Sequence, residues 1–298
     1  MKELKFKKID AFTNSTSSGN PAGCIYLDDD SLTPAEMQSA AKELKGFVNE
    51  VVFIYPGTSF DGQDIFSLKY YSSEREVDFC GHATIACMYD LIKNDKKLIS
   101  KPYVTIRTAK ADLKVFNEIN NSDSVYITAP PPVYLNCNIS RSEIRRNLNI
   151  ADQVDDNFEV TVIDGGLRTL IVPVKSLDVC ISIKPDISVL KDFCAGNEID
   201  IVLVFTGEVN DFASGFRTRV FAPLFGYLED PATGSGNAAF GYYLLKNLMW
   251  NGDILSIEQG PDKADPNIVK LKTAEVDNEK RVLFGGRATV KIEGKYFL

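Results

Sequence analysis

His82 is the only histidine in a chain of 298 residues. A centre built on several histidines is therefore excluded. The six cysteines, at positions 24, 80, 87, 137, 180 and 194, have no short paired spacing. This argues against a zinc site and suits a reducing compartment. No run of about 18 apolar residues is present, so no membrane span is expected. The first residues, Met1-Lys2-Glu3-Leu4-Lys5, lack the apolar core of a signal peptide, and a cytoplasmic location is expected. No cluster of Lys and Arg emerges, and the net charge is −8. Nucleic acid is therefore not an expected partner. The composition is that of a globular protein, with 44% hydrophobic and 25% charged residues. The length allows one large or two medium domains.

The chain is rich in strand signals, with a few helices at intervals. Lys5–Phe12 and Cys24–Leu27 read as strands, separated by a polar loop from Thr13 to Ala22. Thr33-Pro34-Ala35-Glu36 is a capping box, and Met37, Ala40, Ala41 and Leu44 continue it at helical spacing. Val51–Tyr55 and Ile65–Tyr71 read as strands, and Tyr103–Arg107 with Leu113–Phe116 as a hairpin. Asn117–Ser124 is polar and turn-rich, the best domain boundary. Beyond it, Val125–Ile127, Phe158–Ile163, Thr169–Val174, Ile201–Phe205, Phe216–Phe221, Val269–Thr273 and Ala288–Ile292 read as strands. Ser140-Arg141-Ser142-Glu143 is a second capping box, and Gly165-Gly166 reads as a turn.

An internal repeat is the strongest architectural signal. Shifting the chain by 153 residues lays Cys80–Asn94 on Thr233–Asn247, matching Gly81, Ala86, Tyr89, Leu91, Lys93 and Asn94 with identical residues. Each copy puts a Gly-led turn before a helix that is apolar almost all round, and such a helix must be buried. Two similar halves follow, each wrapping β-structure around one helix. They are expected over residues 1–118 and 125–287. If the halves face each other, both helix starts point into one cleft. Their free N–H groups and dipoles would favour a carboxylate.

Several side chains near these turns bear chemistry. Glu50 sits between Phe47-Val48 and Val51-Val52-Phe53-Ile54. If buried, its carboxyl would have a raised pKa and could both give and take a proton near neutrality. The plainer alternative is a strand-edge glutamate facing water. His82 lies in the first turn of one apolar helix, where the dipole favours neutral imidazole; it would bind, relay a proton or simply pack. Asp230, held extended by Pro231, either caps the second helix or contacts ligand. Ser235 either closes the helix end or holds a carboxylate. Cys80 at a helix start is a reactive thiol or a small packing residue. Arg217 and Arg219 either pair with carboxylates or reach the site.

These stretches, taken together, resemble the PhzF-like (phenazine biosynthesis-like) proteins, relatives of diaminopimelate epimerase and proline racemase. The matching segments are Ile9-Asp10-Ala11-Phe12, Gly19-Asn20-Pro21-Ala22, Asn49-Glu50 and Cys80-Gly81-His82-Ala83-Thr84. They continue in family order with Phe221–Gly226, Glu229-Asp230-Pro231-Ala232-Thr233-Gly234-Ser235, Glu258-Gln259-Gly260 and Gly285-Gly286. The resemblance implies an α+β, diaminopimelate epimerase-like fold of two pseudo-symmetric, β-barrel-like halves, each around a central helix, with the last strand, 288–298, returning to the first half. It implies a homodimeric isomerase without metal or organic cofactor, acting on a small carboxylate-bearing metabolite between the halves. It places catalysis on Glu50, His82 and Asp230, with Gly81, Ala83, Thr233, Gly234, Ser235 and Gly236 binding substrate.

Two departures stand out. The two-cysteine epimerases carry a thiol at each helix start, whereas here Cys80 is matched by Thr233. A hydroxyl is too weak an acid to replace the second thiol. The stretch around the glutamate is Asn49-Glu50-Val51, where many members have Ser-Glu-Thr, which bears on substrate choice. The expected chemistry is proton shuttling by Glu50. The alternatives are a cysteine-dependent amino-acid racemase or epimerase using Cys80, and a non-catalytic small-molecule binding protein.

Overall fold

The computed structural model describes residues 2–28, 32–55, 57–60, 63–276 and 278–298. The chain forms two compact units, one of Met1–Thr128 with Gly285–Leu298 and one of Ala129–Phe284.

The first unit begins with β1 (Glu3–Ala11), β2 (Asn20–Tyr26), α1 (Pro34–Glu43) and β3 (Glu50–Ile54). The short β4 (Thr58–Phe60) pairs with β5 (Gln63–Ser72), which is followed by β6 (Glu76–Val77) and α2 (Gly81–Asn94). Next come β7 (Tyr103–Arg107), β8 (Asp112–Asn117), the single turn α3 (Ile119–Ser122) and β9 (Val125–Thr128). The second unit contains β10 (Val133–Leu135), α4 (Arg141–Asn147), β11 (Thr161–Asp164) and β12 (Arg168–Pro173). Two helices, α5 (Leu177–Ser182) and α6 (Ile187–Gly196), lead to β13 (Ile201–Thr206) and β14 (Phe216–Phe221). The tiny β15 (Glu229–Asp230) precedes α7 (Gly234–Lys246), β16 (Leu255–Gln259), β17 (Asn267–Val276) and β18 (Glu279–Gly286). The last strand, β19 (Ala288–Phe297), pairs antiparallel with β1 in the first unit.

The repeat seen in fifteen residues extends to the whole ladder order. In the first unit β1/β2 is antiparallel, β2/β3 parallel, β3/β5 antiparallel, β5/β7 parallel and β7/β8 antiparallel. In the second, β11/β12, β12/β13, β13/β14, β14/β16 and β16/β17 run in the same sequence of senses. The two-residue strands β6 and β15, each just before a central helix, pair with β5 and β14.

The central helices carry the pattern physically. In α2 every residue from Ala83 to Asp90 is buried, and in α7 every residue from Gly236 to Leu244. A helix without a polar face is stable only when sheathed. Strands β1, β2, β3, β9 and β19 pack on α2; β11, β12, β13 and β17 pack on α7. The N-cap residues match as well: Cys80 has φ −135°, ψ 110° and Thr233 has φ −119°, ψ 106°. Neither N-cap side chain accepts a capping bond from the backbone of its own helix. The last turns agree too, since Asn94 and Asn247 each donate to the carbonyl four residues back.

Both capping boxes form, at Thr33/Glu36 and Ser140/Glu143. Other local readings change. The loop after β1 is shorter than expected, because Asn20–Ala22 already belong to β2. Gly19 makes that turn at φ +73°, where a Cβ would stand 2.6 Å from the Ala11 carbonyl oxygen. The helices α5 and α6 and the strand β16 are additions to the sequence reading. The expected boundary at 117–124 includes α3, and the units join at Thr128/Ala129.

Gly234 shows how tightly α7 is seated. A Cβ there would lie 2.3 Å and 2.4 Å from ring carbons of Phe284. Gly234→Ala is therefore expected to cost about 1–3 kcal/mol by overpacking. Urea denaturation of Gly234→Ala and of Gly234→Ala with Phe284→Leu checks this. The smaller ring-free side chain should recover part of the loss, and equal stability of Gly234→Ala and the parent would contradict the packing account.

Candidate active site

In the first unit, Glu50 opens β3, with Ala22 of β2 and Ser72 of β5 as its register partners. The strand is interior to the ladder, so the water-facing edge position is not what forms. Val51, Val52, Phe53 and Ile54 are all buried. The Glu50 side chain keeps 21% exposure, enough to meet a small molecule. Loss of hydration raises its pKa from the ordinary 4.5 to about 7.

His82 and Cys80 meet it from the start of α2. His82 Nε2 lies 3.4 Å from Glu50 Oε2. On the other side of the ring, Nδ1 lies 3.4 Å from Cys80 Sγ. The imidazole thus stands between a thiol and a carboxyl. It can take a proton at one nitrogen while giving one at the other. The donor atoms of Glu50, Cys80 and His82 all lie within 4.8 Å of one another, close enough to share a cation. Thr84 anchors this turn: its hydroxyl donates to the Cys80 carbonyl at 2.7 Å and takes up the phenol of Tyr70 at 2.7 Å. Gly81, His82 and Ala83 occupy the first turn, before the first helical hydrogen bond from Thr84 to Cys80. Their N–H groups have no acceptor within the helix, which suits an anion.

Four other cysteines lie in fully packed surroundings. Burial pushes the thiols of Cys24, Cys87, Cys180 and Cys194 up. Such thiols are poor nucleophiles and packing residues.

In the second unit, Asp230, Thr233, Gly234, Ser235 and Gly236 come together at the start of α7. Asp230 is on β15, held against β14 by the pair Val220↔Asp230. The Thr233 hydroxyl donates to Asp230 Oδ2. Ser235 is the partly exposed residue of this turn, while Thr233, Gly234 and Gly236 are buried. Gly234, Ser235 and Gly236 repeat the open first turn of α2, ahead of the bond from Asn237 N to the Thr233 carbonyl.

A residue without an assigned role in the sequence reading binds this turn together. Gln259, fully buried at the end of β16, contacts the main chain of Thr233 and Asp230 and the side chains of Thr233 and Asn237. It lies in Glu258-Gln259-Gly260, one of the stretches that carry the family resemblance, and that is the signal by which it could be found.

Arg217 and Arg219 resolve as structural pairs. Arg217 and Glu258 are both fully buried, with Nη1 at 3.1 Å from Oε2. The same carboxylate accepts the N–H groups of Asn210 and Asp211 at 3.0 Å and 2.7 Å. Arg219 makes a two-pronged pair with Glu229 and donates to the carbonyls of Cys180, Ile181 and Ile183 at the end of α5. Alternate residues of β14 point to one face, so both guanidinium groups brace the sheet's outer connections.

No helix among the described residues is long and apolar enough to cross a membrane.

Comparison with known proteins gives a consistent answer. Residues 9–294 match the family described as phenazine biosynthesis-like protein, PhzC-PhzF. The chain is 30% identical over 292 residues to the uncharacterized isomerase YfhB of Bacillus subtilis (strain 168), covering 97% of each chain. It is 24% identical over 269 residues to the trans-2,3-dihydro-3-hydroxyanthranilate isomerase of Pseudomonas fluorescens, covering 89% of this chain and 88% of the other. A PhzF-family crystal structure from Bacillus anthracis superposes with a TM-score of 0.84, at 27% identity and with 100% of both chains covered. The repeated ladders, the paired central helices and these matches agree: the chain has the diaminopimelate epimerase-like fold and belongs to the phenazine biosynthesis-like (PhzC-PhzF) family of isomerases.

Proposed function

We propose that this isomerase moves a proton between two carbons of a small carboxylate-bearing metabolite, with Glu50 as the shuttle. The observation that carries the reading is a single carboxyl, desolvated to a pKa of about 7, in contact with the only histidine. A group titrating at the working pH is as ready to take a proton as to give one. The ionised Glu50 takes a proton from a carbon next to an unsaturated or carbonyl system. The electron pair left behind is delocalised into that system. Glu50, now neutral, returns the proton to a different carbon, and a double bond moves. His82 steadies the charge that develops, and while Glu50 is neutral its proton exchanges with water through the imidazole, so that solvent hydrogen enters the product. The first turn of α2, at Gly81 and Ala83, binds anionic oxygen, as do Gly234, Ser235 and Gly236 in α7. Asp230, through Thr233, orients polar groups of the substrate. The relative that acts on trans-2,3-dihydro-3-hydroxyanthranilate supports this substrate class, since that compound carries a carboxylate beside a conjugated ring.

A second reading rests on the 3.4 Å contact of Cys80 with His82. The thiol, deprotonated by the imidazole, would be the base of an amino-acid racemase or epimerase. Thr233 at the matching position of α7 weighs against it, because the partner acid is absent there.

Four outcomes are expected. With trans-2,3-dihydro-3-hydroxyanthranilate in deuterium oxide, the parent protein should yield product carrying solvent deuterium. Glu50→Gln should lower the rate by roughly 10²–10⁴-fold; full turnover by that variant would remove Glu50 from the mechanism. Iodoacetamide separates the second reading. Indifference of the rate to alkylation supports Glu50, whereas substrate-protected inactivation supports Cys80.

The fourth outcome concerns stability. A folded-state pKa above the unfolded value means that the native protein holds a proton the unfolded chain has released. Stability therefore falls as pH rises from about 4.5 to about 7, and the penalty is complete above that. It amounts to about 3 kcal/mol at most. Glu50→Gln removes the charge, so it should be more stable than the parent above pH 7 and nearly equal to it at pH 4.5. Denaturant titrations at both pH values check this, and a variant destabilised at high pH would contradict the desolvated carboxyl.

A further inference from the structure

The polar groups under the start of α7 have obligatory directions. Gln259 Oε1 lies 2.9 Å from the backbone nitrogen of Thr233, which only donates. Gln259 Nε2 lies 2.9 Å from the carbonyl oxygen of Asp230, which only accepts. Exchanging the two ends of the amide would set donor against donor and acceptor against acceptor. Asn237 holds the same orientation: its Nδ2 donates to Gln259 Oε1 at 2.6 Å and to the Thr233 carbonyl at 2.9 Å. Its Oδ1 and the Glu258 carbonyl share the Thr218 hydroxyl, at 3.2 Å and 3.3 Å. Thr218, Asn237 and Gln259 are all fully buried, so water does not compete for these bonds.

The fixed amide has a consequence for the hydroxyl. Gln259 Nε2 also lies 3.1 Å from Thr233 Oγ1, so that oxygen accepts there. A hydroxyl has one proton to give. The proton of Thr233 is thereby directed at Asp230 Oδ2. Thr233 occupies the place that Cys80 has in the first unit. Here the hydroxyl acts as a wire between an amide and a carboxylate.

We infer that Gln259 is a positioning residue for Asp230, acting by fixing the Thr233 hydroxyl as a donor to that carboxylate. Its importance for turnover rests on the proposed role of Asp230, but the hydrogen-bond direction does not. Without the amide, the threonine hydroxyl is released to turn toward other acceptors, such as the carbonyl at Asp230. The carboxylate then loses a donor that favours its charged form, and its proton affinity rises.

The full-length protein, labelled with ¹³C at aspartate carboxyls, allows a direct test by NMR titration, with the Asp230 signal assigned by its loss in Asp230→Asn. Gln259→Leu should raise the proton affinity of Asp230 by roughly tenfold or more. In a Thr233→Val background the same substitution should change it less than about twofold, because the route through the hydroxyl is gone. Gln259→Met, which keeps the length without polar ends or charge, carries the test should Gln259→Leu fail to fold. It offers the Thr233 hydroxyl no donor, so the Asp230 titration should again move upward, with the same dependence on Thr233. An unmoved Asp230 titration in both variants, or equal shifts with and without the hydroxyl, would overturn the inference. The readout needs no substrate, so loss of the proposed reaction and loss of this inference are distinguishable.

Discussion

Two helices without a polar face set the terms for this fold. Neither α2 nor α7 could stand at a surface, since Ala83–Asp90 and Gly236–Leu244 are buried on every side. Each must be enclosed by strands, and enclosing a helix leaves only its ends available to small molecules. The sheets therefore close around the two cylinders in the same ladder order, twice. What remains open on each is a first turn, Gly81–Ala83 and Gly234–Gly236, with N–H groups that the helix itself does not use. Glycine leads both turns, and Gly234 does so because Phe284 leaves no room for a side chain.

Chemistry then depends on what the apolar surroundings do to the few polar groups at these turns. The strand that brings Glu50 to α2 is one long buried run, and that run desolvates the carboxyl. The same burial that would make an unpaired charge costly places the proton within reach of a single imidazole. In the second unit, burial acts differently. There the polar groups satisfy one another through Gln259, Asn237 and Thr218, and the turn is braced instead of poised. One repeated scaffold thus holds a thiol, an imidazole and a carboxyl at the start of one helix, and a hydroxyl, an amide and a carboxylate at the start of the other.

Local and periodic features were readable from the sequence. The two capping boxes are contained within four residues each, and both form. The repeat of Cys80–Asn94 on Thr233–Asn247 was visible because buried helices tolerate few substitutions of shape. Glu50 stood out as one charge in an apolar run. Features made by distant partners were not readable. Gln259 meets Thr233 and Asp230 across 26 and 29 residues, and nothing in its own strand announces a buried amide. Arg217 with Glu258 is 41 residues apart, and only the parallel pairing of β14 with β16 brings them side by side. The short helix α5 was hidden because its six residues, Leu177-Asp178-Val179-Cys180-Ile181-Ser182, alternate like a strand. The start of β2 was hidden because Asn20 and Pro21 read as turn residues, although Pro21 sits against the first strand rather than inside a hairpin turn.

The proposed proton shuttle depends on one property of one side chain, the carboxyl of Glu50 titrating near neutrality because it is desolvated. Its direct measurement is a ¹³C NMR titration of glutamate carboxyls in the full-length protein, with the Glu50 signal identified by its loss in Glu50→Gln. A midpoint near 7 is predicted. A midpoint in the ordinary glutamate range, near 4.5, would show a solvated carboxylate and would contradict the proton shuttle.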